Sequence, residues 1–269
     1  NAQEWLALAE AWAELAAPAN EDGLVLLEAL SEHWQSDKNH TPSPASNLKQ
    51  PPCQPTEERL WGKHVASNAA LLIHGFYLNL LERTLAPIAP LQGTTDLDLY
   101  VSTPHHQLDA AEELLRSQGW PRVTLAGVEN RGRDMAPFLL DLLPRFLAAG
   151  HPWLVKLHTK RSSQTPGGER WGQHLVNSLA KKDTLEQLGF LFSEKDPAEL
   201  AVAAGSLLST STCLARNQNH LKQLLTTTEL DHQWFLQQKL VAGSMWAARR
   251  GVLQRLQAIT VQRNLSSCT

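Results

Sequence analysis

Two short polar segments carry the residue types best suited to gripping phosphate. The first, Glu129-Asn130-Arg131-Gly132-Arg133-Asp134, puts two guanidinium groups, a glycine and a carboxylate into one turn. Arginine forks match phosphate oxygens two at a time, and a glycine lets the backbone approach a ligand closely. The second, Lys156-Leu157-His158-Thr159-Lys160-Arg161, alternates so that Lys156, His158 and Lys160 share one side of an extended chain, opposite Leu157. A row of donors there suits a diphosphate, or the negative charge that develops on a leaving group. Both segments also admit a plain reading. The first could be a solvated charged turn, and the second a basic strand end neutralised by Asp134 or Glu129.

Three further places hold chemistry-bearing residues. His74 and Tyr77 follow an apolar run, where a histidine is either a ligand contact or a structural hydrogen-bond partner. Trp171 could stack on a sugar ring or fill the core. In Ala242-Gly243-Ser244-Met245-Trp246, a glycine between small residues marks close approach of a ligand or of a neighbouring strand. His105-His106 lack an acidic or cysteine partner at ligand spacing and read as a solvent-facing turn. The phosphate loop, the dinucleotide glycine fingerprint, the nucleophile elbow and the zincin helix are all missing from the sequence.

The elements that would position these residues follow a rhythm. Apolar runs at 71–76, 97–102, 123–128 and 153–158 read as strands. Helical patterns lie between them, at 78–86, from Thr103 as N-cap with Pro104 in the first turn to Gly119, and from Met135 towards Gly150 with a kink at Pro144. Strand–helix alternation of this kind builds a parallel α/β sheet, with ligands beyond the carboxyl ends of the strands. The segments at 74–77, 129–134 and 158–161 occupy that position. Beyond 165 the pattern predicts a helical stretch at 170–192 with Leu175, Leu179, Leu185 and Leu188 inward. A strand follows at 201–208, helices at 217–225 and 231–240, and a last strand at 241–247. At the other end, residues 1–35 read as helical and residues 36–57, with five prolines, as a linker. The main α/β domain then occupies 58–269.

Composition bounds the function. Hydrophobic residues make up 42% and charged residues 19%, which suits a packed core. A net charge of −3 supplies no global basic field, so nucleic acid is not an expected partner. Cys53, Cys213 and Cys268 are scattered and odd in number, which predicts a reducing, cytoplasmic setting without a disulfide framework. No apolar run approaches the roughly 20 residues that span a bilayer. The missing initiator Met and the Asn1-Ala2 start suggest an excised domain.

Taken in order, His74-Gly75-Phe76-Tyr77, Leu99-Tyr100-Val101-Ser102-Thr103, the Glu129–Asp134 turn with Met135-Ala136-Pro137-Phe138, Lys156-Leu157-His158-Thr159-Lys160 and Ala242–Trp246 resemble the rhamnan synthesis protein F family. The resemblance runs from about 71 to 256. It implies a glycosyltransferase, or a glycosyltransferase-like module, in the synthesis of a cell-surface polysaccharide or lipopolysaccharide. It also implies a fold similar to GT-A, with a Rossmann-like nucleotide half and a smaller acceptor half. The expected partners are a nucleoside diphosphate sugar, rhamnose among the candidates, and a glycan or lipid-linked glycan acceptor. The full-length protein would associate peripherally with the inner face of the plasma membrane. Where GT-A enzymes end the fourth strand in an acidic Asp-x-Asp, this sequence has Lys156, His158 and Lys160, which implies cationic side chains in place of a metal, and no cofactor.

On that resemblance Asn130, Arg131, Arg133, Lys156, His158 and Lys160 surround the diphosphate, and His74 and Tyr77 lie near the nucleoside. Trp171, Gly243, Ser244 and Trp246 face the acceptor. An inverting transfer needs a proton acceptor. No Asp or Glu follows Asp231, so Asp134, Asp231 and Glu169 are the carboxylate candidates, beside His158. Two alternatives stand next to this reading: a non-catalytic glycan-binding or scaffolding module, and a phosphate-handling hydrolase using His158.

Overall fold

Four apolar runs form strands at the centre of the sheet because almost every residue in them is buried. The computed structural model describes residues 57–62, 69–92, 97–130, 132–159, 168–193, 198–210 and 239–264. Strands β1 (Glu57–Trp61), β2 (Ala69–His74), β3 (Leu97–Pro104), β4 (Val123–Val128) and β5 (Trp153–His158) come first. They are followed by β6 (Leu200–Val202), β7 (Leu207–Ser209), β8 (Lys239–Val241) and β9 (Trp246–Arg249). The main sheet has the order β1-β4-β3-β2-β5-β9-β6, and β7 and β8 pair separately. β4, β3, β2 and β5 run parallel, whereas β1, β9 and β6 join antiparallel to their neighbours. The sheet expected to be mostly parallel is therefore parallel at its centre and mixed at its edges.

Chain order fixes where a ligand can enter. From β2 the chain steps outward to β3 and β4, then returns to the other side of β2 as β5. Strand order reverses between β2 and β5, and the crevice at such a reversal opens beyond their carboxyl ends. The last paired residues of the two strands are His74 and His158.

Helices cover both faces. On one side lie α1 (Leu78–Leu85), α2 (Leu108–Ser117), α4 (Gly168–Leu179) and α5 (Lys182–Leu191). Their Leu81, Leu115, Leu175, Leu179, Leu185 and Leu188 pack on Leu71, Ile73, Val101 and Val155, so the inward leucines expected of 170–192 are the ones buried. On the other side, a π-helical segment (Pro137–Leu142), α3 (Leu143–Ala149) and α6 (Arg250–Asn264) cover Leu72, Tyr100 and Leu154 through Phe138, Phe146 and Leu253. Burying each such side chain fully contributes on the order of 1.5–3 kcal/mol.

Several boundaries differ from expectation, each for a local reason. Thr103 does not cap a helix. β3 continues to Pro104 and α2 begins only at Leu108, because the Thr103 hydroxyl donates to the Gly75 carbonyl at 3.0 Å and holds the chain in register. The Pro144 kink is a π-helical turn just upstream, where the proline's missing N–H interrupts the helical ladder. The helix expected over 170–192 breaks in two at Ala180-Lys181. Gly205, at φ +78°, splits the strand expected at 201–208 into β6 and β7. Lys239 and Leu240 belong to β8 rather than to the end of a helix, and the strand expected at 241–247 is interrupted by a turn at Gly243. The N-terminal helices, the proline-rich linker up to 56, the three cysteines and helix 217–225 lie outside the described residues. Among the described residues no helix is long and apolar enough to cross a membrane.

Candidate functional site

The rim beyond β2 and β5 is assembled by hydrogen bonds between strand ends. The Thr159 amide donates to the His74 carbonyl at 2.9 Å, and the Thr159 hydroxyl accepts the Tyr77 amide at 2.9 Å. The Gly75 amide donates to the Ser102 carbonyl at 2.7 Å. His74 Nδ1 and Ser102 Oγ form a buried hydrogen bond at 3.0 Å. Ser102 and Thr159 carry much of this order although neither stood out as a site residue. The β2–β3 register, which pairs His74 with Ser102, is the signal that locates the first of them.

The turn after β4 crosses the ends of β3 and β2 to reach β5. Asp134 lies there, buried, and its Oδ2 is 2.5 Å from Lys156 Nζ, 3.0 Å from Ser244 Oγ and 3.4 Å from His158 Nδ1. Lys156 Nζ also donates to the Ser244 carbonyl at 2.8 Å, and Phe138 lies beneath it with the ring centre 5.5 Å away. The alternation that put Lys156 and His158 on one side is observed. That side, however, is covered by the chain carrying Asp134, and Lys156 is only 1% exposed. For Lys156 the structure favours the plainer of the two sequence readings, a cation neutralised by Asp134.

Burial acts to raise the Asp134 carboxyl, but nearby His158 and Lys156, with hydrogen bonds from Lys156 and Ser244, outweigh it and hold the group well below the usual carboxylate range. Asp134 is therefore held in its ionised form, with Lys156 and Ser244 both donating to its Oδ2. β5 ends in Lys156 and His158, and among the described residues no group of three His, Cys, Asp or Glu side chains is placed to hold a metal ion.

The remaining expected residues divide by position. Asn130 and Arg133 are exposed on the turn, and Tyr77 is half-buried against Phe76. Trp171 is 4% exposed and belongs to the core, stacked on His174 at 5.4 Å, so it offers no face to a sugar. Gly243 packs beside it: a Cβ there would come within 2.5 Å of Leu175 Cδ1. The glycine thus serves close packing as well as its φ of +83°. Trp246 is half-buried, edge-to-face with Phe138 at 5.2 Å. Glu169 is exposed and paired with Arg83. Arg131, Lys160 and Asp231 lie outside the described residues. A small cavity of about 30 Å³, lined by His158, Thr84, Val176 and Met245 among others, adjoins the rim, with room for one or two water-sized groups.

His74 gives the site a pH signature. Burial pushes its imidazole down from 6.5 to about 4. The unfolded chain takes up this proton near pH 6.5 and the folded chain only near 4, so the unfolded state binds more protons between those values. Stability is complete above pH 6.5 and falls towards pH 4 by roughly 3 kcal/mol. Asp134, depressed below 3.8, adds a further loss at still lower pH. Urea unfolding at pH 7 and pH 4.5 checks this. His74→Gln is expected to flatten the slope between the two values, and a slope equal to that of the wild type contradicts the assignment.

A sheet parallel at its centre, with helices on both faces and a polar rim at its strand-order reversal, defines an α/β domain. The chain belongs to the rhamnan synthesis protein F family, whose model matches residues 34–262. It is also similar to proteins named uncharacterized protein WxcX from two strains of Xanthomonas campestris pv. campestris. These are 27% and 26% identical over 189 residues, covering 70% of this chain and 26% of each relative. The chain thus spans about a quarter of the length of those relatives.

Proposed function

We propose that this domain is a GT-A-like glycosyltransferase that transfers a sugar, rhamnose by the family's designation, from a nucleoside diphosphate donor to a growing polysaccharide. The observation that carries this reading is convergence. The turns after β2, β4 and β5, and the Gly243–Ser244 turn, meet where strand order reverses. In this reading the nucleoside lies along Gly75–Tyr77 and the diphosphate lies against Asn130 and Arg133, while Arg131 and Lys160 lie outside the described residues. His158 takes the acceptor proton as the sugar–oxygen bond forms and the nucleoside diphosphate departs with its bonding electrons. The imidazolium so formed faces Asp134, 3.4 Å away. Lys156 supports this arrangement from below and does not touch the diphosphate.

Titration calorimetry with nucleoside diphosphates, followed by transfer assays with nucleoside diphosphate sugars including a rhamnosyl donor, tests the reading. Binding and sugar release are expected, and absence of both removes it. Arg133 sharpens the test because its φ of 50° is one a side chain rarely adopts. Arg133→Gly is expected to raise stability by about 1 kcal/mol while weakening nucleoside diphosphate affinity about tenfold. Unchanged affinity would take Arg133 out of the diphosphate site.

One observation favours a non-catalytic module instead: the carboxylate at the centre of the rim already accepts from both Lys156 and Ser244. That reading expects glycan binding without release of nucleoside diphosphate, so the transfer assay separates the two.

A further inference from the structure

Among the described residues, two without the freedom of glycine hold positive φ, Arg133 at 50° and Ser244 at 46°. Each follows a glycine that is itself left-handed, Gly132 at 72° and Gly243 at 83°. Left-handed backbone at such residues costs on the order of 1–3 kcal/mol and persists only where surrounding contacts over-determine it. The two turns lie more than a hundred positions apart in the chain, yet one pair of charges ties them. Lys156 Nζ donates to Asp134 Oδ2, directly after Arg133, and to the carbonyl of Ser244. The Ser244 hydroxyl closes the triangle by donating to the same Asp134 oxygen.

We infer that Lys156, Asp134 and Ser244 form a clamp that holds both strained turns over the strand ends, so that Lys156 is a positioning residue for the donor site and not a ligand in it. The inference rests on the nucleotide reading above for what is positioned, and on the described geometry for the clamp itself. The Lys156 ammonium is compact, reaches the clamp from the middle of the sheet, and has three donors, of which the described contacts use two. Its anchor is rigid: β5 is paired on both sides, with β2 and β9. A ligand cation would instead need its ammonium at the rim, and this one is enclosed by Phe138, Asp134 and the Ser244 carbonyl.

A simple structural ion pair and a clamp make different predictions. Replacing both charges by apolar groups of similar size, Lys156→Met with Asp134→Leu, removes the tie without leaving a lone buried charge. The clamp predicts that this double variant melts within a few degrees of the wild type, yet binds nucleoside diphosphate at least tenfold more weakly. It also predicts faster hydrogen exchange at the amides of 132–134 and 243–245. A double variant that binds as tightly as the wild type, with unchanged exchange, overturns it. Should the double variant fail to fold, Ser244→Gly decides. It removes the strain and the hydroxyl together, and is expected to keep the fold, speed exchange at 243–245 and weaken binding at least threefold. Unchanged exchange and binding in that variant would overturn the clamp. If the wild type binds no nucleoside diphosphate, the nucleotide reading fails by itself. Exchange alone then judges the clamp, with unchanged protection in the variants counting against it.

Discussion

Lys156→Met alone is expected to lower the stability of the domain by roughly 3–5 kcal/mol, read from urea or thermal unfolding. The reason is the charge left behind. Asp134 is buried and ionised, and its shortest contact is with Lys156 Nζ at 2.5 Å. Without the ammonium it must stay charged in a poorly solvated place or take up a proton, and both states disfavour the fold. A solvent-facing lysine holding a diphosphate would behave otherwise, because exposed ion pairs contribute about 0–1 kcal/mol. A loss below about 1 kcal/mol would therefore contradict the buried pair.

His158→Gln is expected to reduce sugar transfer by about a hundredfold or more while changing nucleoside diphosphate affinity less than threefold. Glutamine keeps a polar group of similar reach, so the buried contact towards Asp134 survives, but it accepts no proton at neutral pH. The effect therefore belongs in kcat and not in KM. A His158→Gln protein with wild-type turnover assigns proton transfer elsewhere. Asp231, outside the described residues, is then the first carboxylate to examine.

The central strands were legible because burial on both faces leaves continuous apolar runs. 123–128 and 153–158 appear at the expected bounds, and 97–102 lengthens by two residues because Thr103 finds a backbone carbonyl as partner. The edges were less legible. β6 to β9 are three or four residues long, too short for alternation to declare itself, and their turns depend on left-handed glycines at 205 and 243. A glycine in an apolar run reads equally as strand or turn until its φ is known.

For the site, spacing identified the right segments and misjudged their depth. Alternation placed Lys156 and His158 on one side of β5, but nothing in their spacing reveals that the chain leaving β4, three strands away, folds over that side with Asp134. Trp171 shows the same limit: its type and place in the sequence allow a sugar platform or a core residue, and its packing beside Leu175 and Gly243 makes it core. Ser102 and Thr159 stayed hidden because their role is to join strand ends, which requires the β2–β3 and β2–β5 registers.

The claim on which the rest depends is that the reversal between β2 and β5 is a nucleoside diphosphate site. Backbone amide NMR of the 269-residue chain, titrated with nucleoside diphosphates, tests it most directly. The account predicts shifts concentrated at Gly75 to Tyr77, Gly132 to Asp134 and His158 to Thr159. Shifts centred instead at the opposite end of the sheet, around the buried Asp98 and His151 and the half-buried Arg122, or no shifts at saturating nucleotide, would contradict it.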